Sequence, residues 1–195
     1  MAFTFTNLTA APSADDNGYV LSANMGVKTY TLNATAPPFG ARHVTMIRTV
    51  VTVADTPGTI IVTGKDLAGQ TQTETMIPGA NGVTVTSTKF FAKITSIVAP
   101  AGWVMDPAGT ADTIIFGWDA VNAIVAGGGV LHSVVVNATA AGTITLTDSR
   151  GTIATLVASI LEGFYVYDVG FTGYLRCELG AASDVTVVHS ESVPI

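Results

Sequence analysis

The side chains best suited to chemistry in this chain are three histidines, His43, His132 and His189, one cysteine, Cys177, and scattered carboxylates. No two histidines share a His-x-x-x-His spacing, and a single cysteine makes no Cys-x-x-Cys pair, so no local zinc-ligand pattern exists. Each histidine sits inside a run of β-type residues and reads as a solvent-facing or hydrogen-bonded structural position. Cys177, in "GYLRCELG", reads as a small packed hydrophobe, because on a strand the neighbouring Arg176 points to the opposite face. A lone thiol excludes an internal disulfide and fits folding in a reducing cytoplasm.

The remaining motifs are equally plain. "AGGGV" (126–130) lacks the Lys-Ser/Thr of a phosphate-binding loop, and no helical pattern follows it, so it reads as linker. "ADDNG" (14–18) lacks the spaced carboxylates and distal Glu of a calcium loop and reads as a turn. A serine hydrolase needs a Gly-x-Ser-x-Gly elbow, which is missing. Asp106, Asp112, Asp119, Asp148, Glu162 and Asp168 fall mostly at strand ends or turns, where solvation accounts for them. Trp103, Trp118 and the "FYVY" cluster at 164–167 are the aromatics open to sugar stacking. The expectation is a non-enzyme with no catalytic residue, no cofactor and no metal.

Composition sets the surroundings. Hydrophobic residues make up 48% and charged residues 11%, against about a quarter charged in an ordinary domain. The mean hydropathy is +0.50. The most apolar segment, 120–142, is broken by Asn122, His132, Ser133, Asn137 and several glycines, so it is no membrane helix. No aromatic girdle marks a membrane barrel. The opening "MAFTFTNLTAAPSADD" has neither a basic nor a continuous apolar region, so no secretory leader is expected. With 8 basic residues scattered against 14 acidic ones, the net charge of −6 argues against nucleic acid. So much apolar surface under so few charges points to burial between protein molecules.

The elements are strands and turns almost throughout. "GTIIVTGKDLAGQTQTETMI" (58–77) and "GTITLTDSRGTIATLVASI" (142–160) write the same hairpin, alternating arms around a polar turn ending in Gly. Strands are also expected over "KTYTLNA" (28–34), "HVTMIRTVVTV" (43–53) and "TADTIIFGWD" (110–119). Six more follow from "VLHSVVVNA" to "DVTVVHS". Only "IATLVASILEGF" approaches a helical period. The class is all-β: two β-sandwich or barrel modules of jelly-roll type. Residues 1–18 form an N-terminal arm, 19–118 the first module, 119–129 a linker and 130–195 a smaller second module.

The hairpin "VTVADTPGTIIVTGKDLAGQTQTETM", the following "TSTKFFAKITSI" and the C-terminal "AGTITLTDSRGTIATL … DVTVV" carry a resemblance. Together with the Thr/Ala/Gly-rich composition, they are similar to small structural proteins of tailed-bacteriophage virions, most of all capsid decoration (cement) proteins. The resemblance implies a non-enzymatic β protein made in the host cytoplasm and carried on the capsid surface. It would be a homo-oligomer, a trimer by the family's habit, bound across major capsid subunits. No residue-specific motif transfers. Phe3, Phe5, Trp103 and Trp118 are the candidate interaction residues, with the 1–18 arm adding to a neighbour as a strand. On that reading, deleting residues 2–17 weakens particle binding and spares the melting temperature. Alternatives are a tail, neck or baseplate component, a carbohydrate-binding or adhesin module presenting its tryptophans, and a hydrolase.

Overall fold

The computed structural model describes residues 3–9, 14–25, 29–38, 40–50, 58–99, 112–181 and 183–191. The protein is all-β, built from antiparallel sheets, with no helix among the described residues. It divides into two compact units, Ser13–Ala120 and Met1–Pro12 with Val121–Ile195.

The Ser13–Ala120 unit contains β2 (Asp15–Asn24), β3 (Ala41–Thr49), β4 (Ile60–Lys65), β5 (Thr71–Met76), β6 (Val85–Phe91) and β7 (Lys93–Val98). It also holds the first residues of β8 (Thr113–Ala126). β4 is central in a three-stranded sheet, β5-β4-β7. Its alternation turns Ile60 and Val62 inward, as a period of two requires. They join Tyr19, Met46, Phe91, Ile94, Ile97, Phe116 and Trp118 in one core.

The hairpin motif proves to be scaffold. Gly64 passes so close to the Lys93 carbonyl that no Cβ fits between them. Asp66 closes the turn by accepting the Gln70 N–H at 2.8 Å, and Gly69 takes φ 75°. On β5, Glu74 accepts the backbone N–H groups of Thr88 and Lys89, at 2.7 and 2.9 Å, and so ties the hairpin to β6.

The other unit contains β1 (Thr4–Leu8), the rest of β8, β9 (Gly129–Val136), β10 (Ile144–Asp148) and β11 (Gly151–Leu156). β12 (Gly163–Phe171), β13 (Tyr174–Leu179) and β14 (Val185–Glu191) complete it. One sheet runs β1-β14-β9-β12. In the other, β10 lies between β11 and β13, and β13 pairs with the end of β8. Both sheets feed one core, with Leu8, Leu131, Val134 and Val187 from the first and Leu146, Leu175 and Cys177 from the second.

Several expectations are corrected here. In the described part of the 1–18 arm, Thr4–Leu8 is a strand paired with β14 in unbroken register and Asp15 already begins β2. Burying Leu8 drives this, at about 2 kcal/mol for a fully buried aliphatic side chain. Deleting residues 2–17 therefore removes a paired strand, and a lower melting temperature is the expected outcome. The 119–129 linker is mostly strand, with β8 running to Ala126 and β9 starting at Gly129. The described part of "KTYTLNA" makes only a single bridge, Thr29 to Val98. The helical hint at 153–164 resolves into β11, a turn and the start of β12. From Asp15 on, "ADDNG" is an irregular stretch of β2, and its Gly18 leaves room for the Trp118 ring.

Candidate functional site: an apolar sheet face beside an Asp–His–Ser cluster

In the β1-β14-β9-β12 sheet, the register sets Phe5, Val188, Ser133 and Val166 in one row. Directly paired residues point the same way, and the next row, Thr6–Val187–Val134–Tyr165, faces the core. The Phe5 row therefore lies on the face opposite the core, as does Asn7–Thr186–Val135–Phe164. Large apolar side chains stand exposed at both margins: Phe5 (69%) on β1, with Phe3 just before it, and Phe164 (65%) and Val166 (62%) on β12. β1 and β12 are the two edge strands of this sheet. Neither carries a lysine or proline, and β12 has one charge, Asp168. Edge strands are ordinarily blunted by such residues.

Near one end of this face stands His132. The register skips it on both sides, between Val188 and His189 on β14 and between Val166 and Val169 on β12. Bulges re-aim side chains, and here they gather a cluster. His132 Nδ1 pairs with Asp168 Oδ1 at 2.9 Å, and Nε2 meets Ser190 Oγ at 3.0 Å. Asp168 adopts φ 47°, a left-handed conformation that an Asp tolerates better than most residues. The Phe3 ring packs edge-on against the imidazole, 4.8 Å between centroids.

The connectivity is that of a hydrolytic triad, but the burial is inverted. In a working triad the carboxylate is buried and the nucleophile open. Here Ser190 is fully buried, while the Asp168 side chain is 67% exposed. The hydroxyl is closed to solvent, and water reaches the carboxylate that would orient the imidazole. The two contacts of His132 tie β9 to β12 and β14 at the register shifts.

The other histidines follow the same logic. His43 pairs with Asp119 at 2.7 Å and stacks on Phe90. His189 is buried and meets Thr6 Oγ1 at 3.2 Å; burial lowers its pKa, against the attraction of Glu191. Burial pushes the Cys177 thiol up to about 12, which leaves it unreactive at neutral pH. No cluster of three or more His, Cys, Asp or Glu suited to a metal occurs among the described residues.

Of the expected interaction residues, Phe5 on β1 and Phe3 just before it are both exposed. Trp118 is buried against Tyr19 and is not offered to a partner or a sugar. Trp103 lies outside the described residues, as does Asp106. Phe164 and Val166 escaped the sequence reading as docking residues. The signal was present in "FYVYDV": its alternation sends Tyr165 and Tyr167 toward the core and leaves the other pair outside. No family model, no curated protein and no solved structure matches the chain.

Proposed function

We propose that this protein is a non-enzymatic structural component of a tailed-phage virion, which decorates and stabilises the capsid by binding across its subunits. The observation that carries the reading is the exposure of Phe5, Phe164 and Val166 along two unblunted edge strands, with Phe3 beside them. Apolar surface of this kind is characteristic of protein contacts. Each site is small, so binding gains strength from many copies engaging a repetitive shell together. The second component of the reading is self-association: copies cover one another's apolar margins as well as the shell. The burial of Ser190 supports a binding role over hydrolysis, and the burial of Trp118 weighs against a sugar-binding module.

Imaging of virions purified with the protein aboard tests the proposal. Regular density of the protein on the shell is expected, with occupancy lost when Phe164 and Val166 are both replaced by Ser. Density confined to the tail, or full occupancy by the double variant, overturns it.

A further inference from the structure

We infer that β1 is an exchangeable strand, which in the assembled protein seats on β14 of a neighbouring copy instead of its own. The inference rests on the self-association proposed above. The seat is defined by its present occupant: among the described strands β1 pairs with β14 alone, and Leu8 is its buried side chain. Any second copy offers the same strand with the same register.

The receptor is organised without β1. Asn7 donates from Nδ2 to Asp184 Oδ1 at 3.1 Å and to Thr186 Oγ1 at 3.2 Å. Asn137, just past the end of β9, donates to the same two atoms at 2.9 and 3.0 Å. When β1 leaves, the carboxylate keeps a partner from its own unit and the docking group stays in position. A β1 arriving from another chain remakes the lost bonds unchanged, so the two arrangements differ mainly in entropy.

Chain connectivity favours exchange. The segment Met1–Pro12 groups with Val121–Ile195, yet the chain passes from it directly into Ser13–Ala120. A strand on such a connection can be traded between identical protomers, which is domain swapping. In dilute solution the tether favours a chain's own seat; within an oligomer, neighbouring seats reach comparable effective concentration.

A disulfide reports which seat is filled. Phe5 and Val188 are register partners, so Phe5→Cys and Val188→Cys are placed on separately tagged chains, co-produced and oxidised in the purified oligomer. The buried Cys177 does not compete. Exchange predicts a covalent heterodimer, and a chain carrying both cysteines that links mainly between copies. Thr6→Cys with Val187→Cys, the next register pair, repeats the test should the first pair misfold. An oligomer whose doubly substituted chains close only on themselves overturns exchange and leaves self-association standing. A species of monomer mass at all concentrations, closed only within the chain, overturns both.

Discussion

The ring of Trp118 occupies the space that any side chain at position 18 would need, so its burial depends on Gly18. This one close approach turns a residue suited to ligand stacking into core. Gly18→Ala should lower stability by about 1–3 kcal/mol, the usual cost of overpacking, and alter the near-UV signal of the buried indole. Gly69→Ala meets no neighbour but strains φ 75°, so about 1 kcal/mol is expected there. Equal effects at the two sites would contradict the distinction.

Glu74 ties the β4–β5 hairpin to β6 through the N–H groups of Thr88 and Lys89. Glu74→Ala should cost about 1 kcal/mol, a modest value because water competes at this half-exposed site. Chemical denaturation would show it as a lower midpoint at unchanged slope. No change in midpoint would mean that solvent replaces the clasp fully.

Asp148, buried at the second hairpin, predicts an acid limb. Burial by itself raises its carboxyl pKa, but hydrogen bonds from Arg150 and the Thr172 N–H outweigh that and hold it below the ordinary range. A depressed folded pKa stabilises fully above the unfolded value of about 3.9. That contribution is lost as pH falls through the folded value. Asp148→Asn should therefore lower stability at neutral pH, by about 1–3 kcal/mol, and flatten its decline below pH about 4. An unaltered acid limb in the variant would assign that limb to other groups.

For the Asp168–His132–Ser190 cluster, the expectation is structural. Ser190→Ala should leave hydrolysis of activated esters at the wild-type background, while His132→Ala lowers the melting temperature by releasing two bulges. A hydrolytic rate that depends on Ser190 would reinstate the enzyme reading.

Local order was legible in the chain and long-range convergence was not. The Gly-Thr-Ile openings, the alternation and the turn glycines carry period and punctuation, and β4–β5 and β10–β11 lie where those marks put them. The meaning of Asp66, Gly69 and Glu74 is also local, within one hairpin and the strand beside it. The His132 cluster is different, because its members come from β9, β12 and β14 and meet only through bulges that no period encodes. The strand character of "FTFT" was legible but its partner was not, for a related reason: Thr4–Leu8 pairs with residues 185–189 of the same chain. "AGGG" misled by composition, since Gly129 is needed for close approach to the Ser190 carbonyl and interrupts no strand.

The central claim is that companion molecules cover the apolar margins of the β1-β14-β9-β12 sheet. Sedimentation equilibrium of the purified wild-type protein, beside a Phe164→Ser/Val166→Ser variant of unchanged melting temperature, tests it most directly. The account predicts a discrete oligomer for the wild type and a shift toward monomer for the variant. A wild type that remains monomeric up to its solubility limit would contradict it.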